Sequence, residues 1–141
     1  MKHFTMAEMT VTGSGLPNTP GQLAIENLEY LVEKVLDPAR EATGVPIEVT
    51  SGYRSAAVNA AIGGVSNSQH VTGQAADITT ADMAKLFAWL RAHATFDQLI
   101  WEFGSTAQPG WIHVSIKRLG GNRMQVLRAI KAGGKAKYLP L

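Results

Sequence analysis

A chain of 141 residues that is 45% hydrophobic and 17% charged can build one proper core, so residues 1–141 are expected to form a single domain. Mean hydropathy near zero, with no apolar run approaching about 18 residues, excludes a membrane-spanning helix. The absence of cysteine excludes disulfides, thiolate metal sites and cysteine nucleophiles, leaving nitrogen and oxygen to hold any metal.

The elements follow in chain order. Met1 to Thr12 carries Lys2, His3 and Glu8 and has neither a long apolar stretch nor a small-residue cleavage site, so no secretory signal is expected there. Gly13 to Pro20 reads as a loop, after which Thr19 is placed to cap a helix with Pro20 at its first position. Leu28, Leu31, Val32, Val35 and Leu36 make one apolar stripe at helical spacing, and the helix is expected to reach about Thr43 and stop at Gly44. Pro46 to Thr50 alternates as a half-buried strand and leads into Ser51-Gly52-Tyr53-Arg54. Ser55 then caps a short helix over Ala56 to Ile62, which Gly63-Gly64 ends.

Small polar residues from Val65 to Gly73 put Ser68 and His70 on a loop that enters a strand, Ala75 to Thr79. Thr80 is expected to cap an amphipathic helix in which Met83, Leu86, Phe87 and Leu90 share a face. Asp97 to Phe103 and Trp111 to Ile116 are strand-like and joined by Gly104 to Gly110; Met124 to Ile130 adds a last strand. Helices that precede and interleave with short strands predict an α+β fold, with a small, largely antiparallel sheet and flanking helices. From about residue 131, around Gly133-Gly134, the tail is expected to fray.

Charge is distributed unevenly. Seven cations, Lys117, Arg118, Arg123, Arg128, Lys131, Lys135 and Lys137, follow Ser115, and no Asp or Glu follows Glu102. Such an end suits anionic polymers, or simply a solvated surface. Nucleic acid is a poor candidate, because no aromatic-interleaved basic motif or helix-turn-helix pattern is present.

Of the four histidines, His70 and His113 have the most informative settings. His70 lies seven residues before Asp77, and His113 projects from the polar face of a strand whose other face is apolar. Two imidazoles and a carboxylate are a ligand set that zinc takes at about 2.0–2.2 Å, with a fourth position left for a water whose pKa falls toward about 7. Taken singly, each has a plainer reading: a hydrogen-bonding surface histidine, or an aspartate in the capping cluster with Thr79 and Thr80. His3 and His93 stay in that plainer class.

The wording around these residues is more specific. Ser68-Gln69-His70-Val71-Thr72-Gly73-Gln74-Ala75-Ala76-Asp77 fits S-x-H-x-x-G-x-A-x-D, and Trp111-Ile112-His113 follows downstream. With Ser51-Gly52-Tyr53-Arg54-Ser55, Asn59 and Phe96 to Glu102, it resembles the zinc D-alanyl-D-alanine carboxypeptidase and L-alanyl-D-glutamate endopeptidase family, peptidase family M15, in its phage endolysin-like branch. The similarity covers roughly Phe4 to Ser115.

What that resemblance implies is a hedgehog/DD-peptidase-like α+β fold and one zinc ion held by His70, Asp77 and His113. The expected activity is hydrolysis of an amide in a peptidoglycan stem peptide. Arg54 matches an arginine that binds the substrate carboxylate or carbonyl, with a structural ion pair as its plainer alternative; Ser68 and Trp111 are expected beside it as substrate contacts. Many relatives carry an acid three residues before the last histidine, where this chain has Gly110. Glu102 is then the expected general base, with Asp97 in reserve. A metal-bearing but inactive module that binds the wall or a virion component is the competing reading. The protein is expected to be a monomer made in the cytoplasm that reaches the wall by holin-type release or in a virion, its basic tail meeting anionic wall polymers.

Overall fold

The computed structural model describes residues 1–141. A short helix, α1 (Met6–Met9), opens the chain, its first turn closed by a reciprocal Thr5–Glu8 capping box. The long helical segment is α2 (Gln22–Leu31), a wider π-type turn (Val32–Leu36) and α3 (Asp37–Thr43), ending at Gly44 with φ 69°. The π-type turn lies just ahead of Pro38, which has no N–H to give the helical ladder and needs room against the preceding turn.

This helix begins later than its sequence signals suggest: Gly21, not Thr19, is the N-cap, and Pro20 lies outside. The cause is tertiary. Asn18 donates to the carbonyls of Thr10 and Tyr53 and accepts from the Ser55 N–H, tying the chain ahead of Pro20 to the loop after the first strand. That strand is β1 (Glu48–Ser51), followed by α4 (Ala56–Ala61) with Ser55 as its cap. A 3-10 turn (Gln69–Thr72) leads into β2 (Ala75–Thr79). In α5 (Met83–His93) the cap is Asp82 rather than Thr80, whose hydroxyl is committed to the Pro46 carbonyl at 2.7 Å.

β3 (Gln98–Glu102) and β4 (Trp111–Ser115) form an antiparallel pair, and β5 (Gln125–Ala132) and β6 (Lys135–Pro140) a hairpin. The tail that was expected to fray is therefore a strand: Gly133 and Gly134 both take positive φ, which suits a two-residue hairpin turn. All six strands join in one sheet of order β1-β2-β4-β3-β5-β6, antiparallel except for β3 with β5. The expected α+β architecture is thus present.

Side chains alternate across this sheet, so its faces differ. Val49, Ala76, Ile78, Leu99, Trp101, Ile112 and Val114 pack with Leu28, Leu31, Val35, Leu86 and Leu90 into the main core. Each such fully buried aliphatic side chain contributes about 1.5–3 kcal/mol. The opposite face carries Asp77, His113, Ile100 and Glu102, and it forms the floor of a cleft of about 920 Å³. No helix of the protein is long and apolar enough to cross a membrane.

Candidate metal centre and its cleft

The three candidate ligands arrive on different elements. Asp77 and His113 are direct partners on β2 and β4, and so project from the same face of the sheet. His70 comes from the 3-10 turn, which Ser68 caps by accepting from the His70 N–H. Gly73 ends that turn at φ 76° with the Ala24 backbone in the space a Cβ would need, so its lack of a side chain is required twice over.

The His70 Nδ1 lies 2.7 Å from the Gly52 carbonyl oxygen. A carbonyl only accepts, so Nδ1 carries the proton and Nε2 is left facing Asp77 Oδ1 at 3.3 Å. His113 Nδ1 approaches the same oxygen at 3.0 Å, and one donor atom from each of the three residues lies within 4.8 Å of the others. His70 thus turns its second ring nitrogen toward a carboxylate oxygen. Two acceptors that close repel unless a proton or a cation lies among them, and the set fits a divalent metal. Burial pushes the Asp77 carboxyl upward, but hydrogen bonds from His113 and His70, with their charge, hold it well below the usual carboxylate range.

Arg54 is held from three sides: Nε donates to Ser51 Oγ at 3.0 Å, Nη1 to Asn59 Oδ1 at 3.2 Å and Nη2 to Asp77 Oδ2 at 3.4 Å. It is therefore both an ion-pair partner of the metal group and a fixed guanidinium in the cleft wall. Glu102 ends β3 opposite Trp111, two residues along from Ile100, the partner of His113. The Gly110 N–H donates to the Glu102 carbonyl at 2.8 Å. The residue lacking the expected acid thus sits beside the strand position that supplies one. Only 6% exposed, Glu102 is pushed by burial up to about 7, with the negative Asp77 adding to the shift and His113 opposing it.

The family model described as Peptidase M15 matches residues 2–115. The chain belongs to the M15 peptidases. Membership makes it a hydrolase of metallopeptidase type, and all of Arg54, His70, Asp77, Glu102 and His113 fall inside the matched residues. No curated protein matches the chain.

Within this M15 peptidase, Ser68 and Trp111 both line the cleft, Ser68 with its hydroxyl engaged in capping and Trp111 with its ring 5.4 Å from that of Phe103. Tyr53 packs against the main core. Asp97, the reserve base, is held in an ion pair with Arg123. It is fully buried, takes Arg123 Nε at 3.1 Å and Nη2 at 2.7 Å, and also accepts from Gln69 Nε2 and the Arg123 N–H. Hydrogen bonds from Arg123 hold its carboxyl well below the usual range, their gain exceeding the cost of burial.

Sequence reasoning missed one wall of the cleft: Arg123 and Gln125, then Leu127, Tyr138 and Pro140 of the hairpin. Alternation along Gln125, Leu127 and Ala129 was a sufficient signal for a strand face. Nothing in it pointed to β3 as the neighbour.

Proposed function

We propose that this protein is a zinc peptidase that hydrolyses an amide bond in the stem peptide of peptidoglycan, in wall degradation of the phage-lysis kind. The observation that carries the reading is the convergence of His70 and His113 on one Asp77 oxygen, with a buried carboxylic acid on the adjacent strand of the same cleft. His70, Asp77 and His113 would hold the ion. When bound, zinc supplies Lewis acidity toward a carbonyl and lowers the pKa of a water.

The remaining chemistry belongs to side chains. Glu102 takes a proton from the attacking water and returns it to the leaving amine as the C–N bond breaks; a pKa near neutrality serves both directions. Arg54 orients the substrate carbonyl or carboxylate and offsets the negative charge that develops there. The inactive-module reading rested on Gly110, and Glu102 beside it favours the active one.

Mass spectrometry of muropeptides after digestion of purified peptidoglycan by the zinc-loaded protein tests this. New free amino termini are expected at one type of bond. An unchanged muropeptide profile, with zinc content verified, would overturn the activity.

A further inference from the structure

The cleft does not end at the metal group. Along β3 it continues toward Gln98, where the connection between β4 and β5 brings in Arg123 and the start of β5 brings in Gln125, both outside the residues matched to the family. Asp97 uses the Nε and Nη2 of Arg123, which leaves Nη1 without a protein partner on a side chain 51% exposed in the cleft wall. The guanidinium is therefore fixed by a buried carboxylate and turns its free edge outward. Gln98 Nε2 donates to Gln125 Oε1 at 2.7 Å, so the Gln125 amide N–H groups are also without a protein partner.

Lys117 Nζ lies 3.6 Å from Asp97 Oδ1, so two cations face one anion here, whereas at the other end Arg54 pairs with Asp77 one to one. A planar fork with its orientation already set loses little freedom on pairing with a carboxylate, and neighbouring amide donors extend the same recognition.

We propose that Arg123, with Gln125, forms a second subsite that binds a carboxylate of the peptide substrate at a distance from the scissile amide. The inference rests on the peptidase reading. Gln98 is two residues along β3 from the partner of His113, and β5 is two strands from β4. Strand geometry then separates subsite and metal group by roughly 12 Å, three to four residues of extended peptide. Arg54 meets the substrate at the reacting end, Arg123 at the other.

The test uses the full chain, zinc-loaded, and the peptide cleaved in the muropeptide assay, with each carboxylate replaced singly by a carboxamide. At one position amidation should raise KM about tenfold with little change in kcat. Arg123→Gln should raise KM for the parent peptide by a similar factor and add nothing for the amidated one. Because Arg123→Gln also strips Asp97 of its partner, Arg123→Lys, which keeps the charge but loses the fork, should fold and still lose most of the discrimination. Equal KM across the series, or penalties that simply multiply, would overturn the subsite.

A binding measurement separates this inference from the activity. Titrating glutarate into the ¹⁵N-labelled protein should shift the Arg123 Nε resonance saturably, while glutaramide should not. A resonance unmoved by glutarate would refute the subsite. A saturable shift in a protein that cleaves no peptide would retain the subsite and reject the peptidase reading.

Discussion

The two ends of the cleft are built in opposite ways. Around His70, Asp77 and His113, three residues of metal-binding chemistry are aimed at one point by a glycine-tightened turn and a paired β2–β4 register. Around Arg123, ordinary residues do the shaping: a guanidinium locked by Asp97, a glutamine pair, and Leu127, Tyr138 and Pro140 from a hairpin laid beside β3. One end is fixed by ligand chemistry and the other by sheet topology. Glu102 belongs to both, since it stands on β3 beside β4 and the adjoining β5 pairs it with Ala129.

The metal end should fail outright when one ligand is removed. His113→Ala or His70→Ala should abolish zinc binding by elemental analysis and reduce activity to background, while zinc retained at one ion per chain would mean that other residues hold it. Glu102→Gln should keep the zinc and lose on the order of 10²–10⁴-fold in rate. Near-normal turnover would return the base to another group.

Glu102 also has a signature in metal-free protein. Its folded value of about 7 exceeds its ordinary 4.5, so between those values the folded chain keeps a proton that the unfolded chain has lost. Stability should therefore fall as pH rises from about 4.5 to about 7, and Glu102→Gln should flatten that slope in thermal unfolding of chelated protein. An unchanged slope would mean that burial by β5 does not set its acidity.

These contrasts explain what was legible in the sequence. The metal group was, because histidines are few, their residue types point to one chemistry, and S-x-H-x-x-G-x-A-x-D keeps two of the three within one turn and strand. The α+β class followed from the interleaving of stripes and alternation. Helix starts were misplaced where distant groups took the capping hydroxyl or tied down the chain, as with Thr80 on Pro46 and Asn18 on Tyr53 and Ser55. The hairpin wall was hidden because β5 pairs in parallel with β3, across β4 in chain order, and local spacing carries no information about that partner. The ion pair at Asp97 was hidden for the same reason: its guanidinium partner lies 26 residues ahead.

A smaller effect is expected at Asp97. Asp97→Asn removes the charge that pins Arg123, and because Arg123 is half exposed the cost should be about 2 kcal/mol, below the 3–5 of a fully buried pair. Its carboxyl is depressed in the folded chain, so the stabilisation is present above the ordinary carboxylate value of 3.8 and fades as pH falls through the folded one. Denaturant unfolding should give wild type and Asp97→Asn midpoints that converge in acid. Rate should drop far less than in Glu102→Gln; a comparable drop would make Asp97 part of the chemistry.

The smallest effect concerns the cations after Ser115, which the structure divides. Lys117 and Arg123 pair with Asp97, Arg118 pairs with Glu26, and Lys131 lies over the Phe103 ring on the cleft face. Register puts Arg128, Lys135 and Lys137 on the other face of the hairpin, since Lys137 opposes Ile130 and Lys135 opposes Ala132. Only these three are placed to meet an anionic wall polymer away from the cleft. Attraction between exposed charges fades beyond a Debye length of about 8 Å at physiological ionic strength. Neutralising Arg128, Lys135 and Lys137 should therefore weaken association with intact walls a few-fold at low salt and leave little difference at high salt, with turnover of a short soluble peptide largely retained. Lys131→Gln, on the cleft face, should alter peptide turnover more than wall association. Equal losses on walls and peptide in the triple variant would mean that the hairpin's outer face supports the fold, and targeting by charge would have to be given up.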